Sequence, residues 1–373
     1  MKTIGVGVIG WGFMGKTHTQ ALRSLPLFYP GCDFRAELKC VCARHIENAR
    51  AAAEAVGFER YTDDYRALLQ MDDIDVVSVC TPNDQHEQMV IDALRAGKHV
   101  YVDKPLTADE QSALRVAEAA RDAAGFTRMA FNNRYFPATL RAKELVEEGR
   151  LGDILSFQAR YLHSGSIDRD KPAGWKLRGQ GGVLLDLGSH ALDLVVWLTG
   201  WPARVFCSTR TLYPERPAPG GGVATDIAED QVLALMELPN GAQGVIEASK
   251  IATGSDDELT LEVRGTRGAL RFDTMDPNYL DFYDNTLPEA PYGGMRGFTR
   301  IEAVQRYPAP GGKFLPPKSS IGWERGHLHC YYTFLDDVAH GRRPENGVDE
   351  GARLQALMAR MMESAKQGKW VEV

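Results

Sequence analysis

Over the first 130 residues, short β-branched runs alternate with Ala-rich stretches of helical period, the pattern of a parallel sheet covered by helices on both faces. Strands are expected at 4–9, 38–43, 76–80, 99–102 and 129–132, with helices at 45–56, 64–70, 83–95 and 108–124. Asp109 and Glu110 fall in the first turn of the last helix, where negative charge meets the positive helix end, and Gly125 is placed to close it. The fold class this predicts is α/β, opening on a Rossmann-type doubly wound parallel sheet.

Past residue 135 the pattern changes. A helix at 138–148 is followed by strand-like runs at 154–161, 203–209, 230–237, 242–249, 258–264 and 269–273 with almost no helical period between them. Such a succession predicts a C-terminal α+β domain with a mostly antiparallel open sheet. The boundary is placed between residues 133 and 134, giving one domain over 1–133 and a second over 134–373. Stretches 214–222 and 287–317, rich in Pro and Gly, read as loops. A last helix is capped by Asp349, carries Leu354, Leu357, Met358, Met361 and Ala365 on one stripe, and ends at Gly368.

Composition narrows the function classes. Apolar residues make up 44% and charged residues 25%, as in ordinary globular proteins, and 43 Lys and Arg against 50 Asp and Glu leave a net charge of −7. No basic block offers itself to a run of phosphates, so no nucleic-acid partner is expected. The longest apolar stretch, 183–198, is broken by Asp186, His190 and Asp193 and falls short of a bilayer span, so no membrane segment is expected. With no secretion-like start and six scattered cysteines that read as buried thiols, a cytoplasmic location is expected. No Cys-x-x-Cys or His-x-x-x-His pattern suggests a metal site.

The chemistry-bearing residues sit at strand ends. Gly10, Gly12 and Gly15, with Phe13 and Met14 between them, follow the first strand and open a helix. The first glycine permits a tight turn, the second lets a pyrophosphate approach the helix N-terminus, and the third packs helix on strand, so a dinucleotide is expected here. Asp33 has the spacing of a ribose-binding acid but precedes the second strand, whose end carries Arg44 and His45. Arg44 can pair with a 2′-phosphate, so the cofactor is read as NAD(P), with NADP favoured over NAD. Thr81, Pro82, Asn83 and His86 follow the next strand and Asp103, Lys104 and Pro105 the one after it, with Asn83 also suited to capping a helix. Asp186 and His190 are four apart and share one helix face, where the carboxylate can orient an imidazole acting as general base.

Taken in order, GWGFMG, TPNDQH, VDKP and GGVLLDLGSHALDL resemble the Gfo/Idh/MocA oxidoreductases, which include sugar and inositol dehydrogenases, and the resemblance extends to the closing ESAKQGKWVEV. It implies that Lys104, Asp186 and His190 are catalytic, that Asp103 stands in for the usual Glu of Glu-Lys-Pro, and that Trp175 and Lys176 replace a Trp-Arg pair near the cofactor. The activity implied is NAD(P)-dependent transfer of a hydride between nicotinamide and a secondary hydroxyl or ketone of a small, polar, carbohydrate-like substrate. A redox-cofactor-dependent glycosidase and a non-catalytic nucleotide-binding regulator are the alternatives. A homodimer or homotetramer built through the open sheet is expected.

Overall fold

The computed structural model, which describes residues 1–179 and 181–373, turns the alternating pattern into six parallel strands: β1 (Lys2–Ile9), β2 (Phe34–Cys42), β3 (Arg60–Thr62), β4 (Val76–Val79), β5 (His99–Val102) and β6 (Thr127–Met129). Helices α1 (Phe13–Phe28), α2 (Ile46–Val56), α3 (Tyr65–Leu69), α4 (His86–Arg95) and α5 (Glu110–Arg121) connect them. The strand order β3-β2-β1-β4-β5-β6 reverses between β1 and β4, and the carboxyl ends of those strands form the crevice where such sheets take ligands.

Several boundaries depart from expectation for local reasons. β2 starts at Phe34 instead of 38 because its early residues are a salt-bridged row, Lys39 reaching Glu37 at 2.8 Å and Glu59 at 2.7 Å, which no apolar pattern marks. Asp33 consequently lies at the start of β2, far along the strand from its carboxyl end. Asn83 does not cap α4; it opens a 3-10 turn, Asn83–Gln85, that leads into the helix. Asp109 is itself the cap of α5, accepting from the Ser112 amide at 2.9 Å. Gly125 is needed for close approach, since a Cβ there would lie 2.0 Å from the Lys98 carbonyl oxygen.

The remainder contains α6 (Pro137–Glu147), β7 (Ile154–Leu162), a π-helical turn Leu184–Gly188 running into α7 (Ser189–Thr199), then β8 (Arg204–Arg210), the short pair β9 (Arg216–Pro217) and β10 (Val223–Ala224), β11 (Gln231–Glu237), β12 (Gln243–Ser249), β13 (Glu258–Gly265), β14 (Gly268–Asp273), β15 (Tyr279–Asp284) and β16 (Phe298–Glu302). It closes with α8 (Trp323–His340), α9 (Val348–Gln367) and β17 (Val371–Glu372). Nine strands form one sheet in the order β16-β15-β14-β13-β7-β12-β11-β8-β17, antiparallel throughout except for β7 beside β12. Its inner face buries Val205, Met236, Ile246 and Val263, with α7 packed on β7, β12 and β13. On the outer face Leu235 pairs with both Phe206 and Val245, and Leu233, Leu235 and Val245 are exposed.

The chain packs as two units, one of Met1–Tyr135 with Gln305–Gln355 and one of Phe136–Val304 with Ala356–Val373. The first therefore reclaims α8, which no sequence pattern indicated. Its first half is buried almost all round, through Arg325, His327, Leu328, His329, Tyr331 and Tyr332, so polar residues occupy positions that an amphipathic stripe would reserve for aliphatic ones. β16 was hidden inside a stretch read as loop because four of its five residues are exposed and nothing alternates. α9 begins at Val348, whose amide donates to Thr127 Oγ1 at 3.2 Å, so Asp349 sits in the first turn instead of capping it. Among the described residues no helix is long and apolar enough to cross a membrane.

Candidate active site

The first unit gathers thirteen predicted residues, from Gly10 to Lys104, after the carboxyl ends of β1, β2, β4 and β5. Gly10 has φ +100°, and Gly15 lies so close beneath it that a Cβ would fall 2.0 Å from the Gly10 carbonyl oxygen. Gly12 differs: it stands at the start of α1 and nothing lies within 4 Å of where its Cβ would be. An open space over a helix N-terminus with no acidic residue in its first turn is a cradle for an anion. Phe13 beside it is exposed and stacks on Trp323 with centroids 5.6 Å apart, and Met14 is half-buried. Arg44 and His45 follow β2, both exposed; His45 precedes α2 without a side-chain cap bond.

The loops after β4 and β5 are held together from below. His86 is fully buried, its Nε2 2.8 Å from the Thr81 carbonyl oxygen and its Nδ1 3.1 and 3.2 Å from those of Pro105 and Leu106. Expected as a cofactor contact, it is instead a strut joining Thr81, Pro82 and Asn83 to the Asp103–Lys104 segment. Asp103 is buried, its amide bonded to the Val79 carbonyl at 2.9 Å, and its carboxylate accepts from the Lys104 amide at 2.9 Å. Lys104 thus follows a residue bonded to β4 by its amide, and its own bond to Pro105 is cis.

Under this floor lie imidazoles kept neutral. His18 meets Ser78 Oγ at 2.8 Å and Cys80 Sγ at 3.0 Å, and burial lowers its pKa to about 4 against the opposing pull of Asp103. Burial holds His327 well below the usual range too, with His18 and Lys104 acting in the same direction, and neither of its ring nitrogens has a hydrogen-bond partner among the described residues.

The other predicted residues lie on the second unit. Asp186 sits in the π turn and His190 in the first turn of α7, so their four-residue spacing crosses a change of helix type. His190 is 8% exposed, its ring 5.7 Å from that of Tyr161. Both oxygens of the carboxylate take lysine ammonium groups: Oδ1 receives Lys176 Nζ at 2.8 Å and Oδ2 receives Lys250 Nζ at 3.1 Å. The Lys176 ammonium also lies 5.6 Å over the half-exposed ring of Trp175. Tyr161 is pushed well up by burial and by Asp257, while burial and then Lys250 push His163 down. Sequence reasoning missed Lys250, Tyr161 and His163.

The second unit thus carries a carboxylate between two lysine ammonium groups and a buried imidazole, and the first carries a glycine turn of the kind that takes a dinucleotide. Residues 4–131 match the model of the oxidoreductase family with an NAD-binding Rossmann fold, and residues 139–271 match the GFO/IDH/MocA C-terminal domain. The chain is 30% identical to levoglucosan dehydrogenase of Pseudarthrobacter phenanthrenivorans, covering 100% of this chain and 99% of that one. It belongs to the Gfo/Idh/MocA oxidoreductase family. To D-glucoside 3-dehydrogenase of Escherichia coli it is 35% identical, over 90% of each chain. Among solved structures, levoglucosan dehydrogenase in complex with NADH and L-sorbose matches with a TM-score of 0.94 at 30% identity, over 100% of this chain and 99% of that one. The first unit is the family's NAD-binding domain, and the open space over Gly12 is the observation on this chain that fits the cofactor.

Proposed function

We propose that this oxidoreductase converts a secondary hydroxyl of a neutral sugar, glycoside or cyclitol to a ketone, and the reverse, with Lys104, Asp186 and His190 as its catalytic residues. The full-length likeness to levoglucosan dehydrogenase, solved with NADH and a sugar, is the observation that carries this reading. When bound, the nicotinamide supplies the acceptor for the hydrogen and electron pair leaving the carbon. His190 takes the hydroxyl proton, as an imidazole does near neutrality, and returns it in the reductive direction. The Lys104 ammonium stabilises negative charge gathering on the same oxygen. Asp186, each of its oxygens held by a lysine ammonium, accepts a hydrogen bond from a substrate hydroxyl. Thr81, Pro82, Asn83 and Asp103 would hold the nicotinamide half of the cofactor, with Trp175 and Lys176 as further cofactor contacts.

Arg44, exposed at the end of β2, supports acceptance of a 2′-phosphate and hence NADP over NAD; the NADH bound by levoglucosan dehydrogenase weighs on the other side. The apolar outer face of β8, β11 and β12 supports self-association through the sheet.

The test is steady-state oxidation of neutral glycosides and inositols against pH. His190→Asn is expected to abolish the rise of activity through neutrality, and Lys104→Ala to lower kcat by roughly 10² or more while dinucleotide affinity stays within a few-fold. Wild-type kcat and pH profile in both variants would remove these residues from the chemistry.

A further inference from the structure

The least expected charge in the second unit is Lys250. Its side chain is 4% exposed, and it follows Ser249, the last residue of β12, where the Lys250 amide donates to the carbonyl of fully buried Asp230 at 2.8 Å. A buried ammonium is costly unless it is paired and hydrogen-bonded. Here its Nζ reaches Asp186 Oδ2 at 3.1 Å and the Lys176 carbonyl oxygen at 3.3 Å. It therefore grips both the catalytic carboxylate and the backbone of the short helix, Trp175–Leu177, that brings the other lysine to that carboxylate.

We infer that Lys250 is a positioning residue for the oxidoreductase reaction: with Lys176 it clamps Asp186 from opposite oxygens, fixing the carboxylate's rotation and keeping it an acceptor of substrate hydrogen bonds throughout turnover. The inference deepens the proposed reading and rests on Asp186 being catalytic. The two lysines are not equivalent. Lys176 is half-exposed and can swing away, whereas Lys250 is locked by burial, so Lys250 sets the geometry and Lys176 adds charge. A carboxylate so clamped is a weaker proton acceptor, in keeping with the role proposed for His190.

The charged and titratable groups around the clamp come from every neighbouring element. Tyr161 and His163 face Asp186 from the end of β7 and the residue after it, with Asp257 and Lys171 beside them. Glu229 faces Lys250 and accepts from the Leu184 amide at 3.0 Å, and His190 and Asp193 lie on α7. Because Lys250 touches several of these, the test must separate its effect through Asp186 from any other.

A double-mutant cycle does this. Asp186→Asn is expected to lower kcat/KM at least 100-fold and Lys250→Met at least 10-fold, mainly in kcat. The double variant should be no slower than Asp186→Asn alone, and Lys250→Arg should recover most of the activity. The acid limb of the kcat/KM profile should move to higher pH in Lys250→Met, since one cation has left the carboxylate. If Lys250→Met slows the Asp186→Asn enzyme by the same factor as the wild type, Lys250 acts independently and the inference is overturned. If Asp186→Asn keeps wild-type kcat/KM, the proposed reading of Asp186 itself fails. Should Lys250→Met not fold, as shown by its melting curve, the cycle is run with Lys250→Gln, which keeps a donor, and the same two outcomes decide.

Discussion

The dinucleotide cradle of the first unit and the carboxylate clamp of the second are built by opposite means. In the cradle, function lies in backbone: three glycines, a helix end and the strand termini, with His86 as a strut beneath. In the clamp, function lies in side chains whose charges balance across sequence separations of 10 residues between Lys176 and Asp186 and 64 between Asp186 and Lys250. Backbone devices leave a local signature, because only glycine fits where a Cβ would collide. Clamps leave none, because any lysine on any strand end could supply the ammonium.

The cradle half of this contrast can be broken with one methyl group. Gly15→Ala places a Cβ 2.0 Å from the Gly10 carbonyl oxygen, an obstacle that is backbone and cannot rotate away. The expected loss is about 4 kcal/mol or more, enough to abolish a cooperative urea transition or move it far down. Gly12→Ala meets nothing within 4 Å, and its φ of −85° suits any residue, so its urea transition should match the wild type. Its dinucleotide Kd, read by fluorescence titration, should nevertheless rise about tenfold, because the methyl occupies space the pyrophosphate needs. Equal stability losses in the two variants would show that the glycines serve packing alone.

What could be read in the sequence follows the same division. The strand ends carrying Gly10, Arg44, Thr81 and Lys104 were visible because apolar runs stop there, at the edge where open α/β sheets take ligands. His190 and Asp186 were visible as polar residues interrupting an apolar stretch. Lys250 was not, since its role depends on β12 lying parallel beside β7, a pairing of segments about 90 residues apart. α8 was lost because burial of Arg325, His327 and His329 erased its stripe. Arg325 lies inside a cage of Phe28, Tyr29 and Tyr307, its guanidinium 3.9 Å from the Tyr307 ring centroid and donating to the Tyr29 hydroxyl at 2.7 Å.

Those buried imidazoles give the stability of the first unit a pH dependence. His18 titrates near 6.5 in the unfolded chain and at about 4 in the folded one, and His327 and His329 shift the same way. Between these values the unfolded state binds protons that the folded state refuses, so stability is full above about pH 6.5 and falls as pH drops towards 4. His18 alone accounts for roughly 3 kcal/mol across that window. His340, exposed and raised by the Asp336 carbonyl and Asp33, works in the opposite sense and is screened by solvent. Urea titrations at pH 7 and pH 5 should show the loss, and His18→Asn should reduce it. A pH-independent midpoint over that range would mean that these rings are protonated in the folded state.

The smallest expected effect concerns the outer end of the cradle, where side-chain charge returns as the deciding feature. Arg44 follows β2 directly, is exposed, and makes no ion pair among the described residues, so its charge is available to a ligand. Asp33, the acid with the expected spacing, is engaged at the other end of β2 by His340 Nε2 at 3.0 Å and cannot hold a ribose at the crevice. A guanidinium can grip a 2′-phosphate with two parallel bonds, whereas a carboxylate there repels that phosphate and accepts from the free ribose hydroxyls. Arg44→Asp should therefore shift the ratio of kcat/KM for NADP over NAD by about tenfold towards NAD, mostly through KM, since the group binds ground and transition states alike. Because the change lies on an exposed turn, urea stability should be unaffected, which separates it from the glycine variants. A wild type that already prefers NAD tenfold, with the ratio unmoved in Arg44→Asp, would assign ribose selection to other residues at the mouth of the cradle.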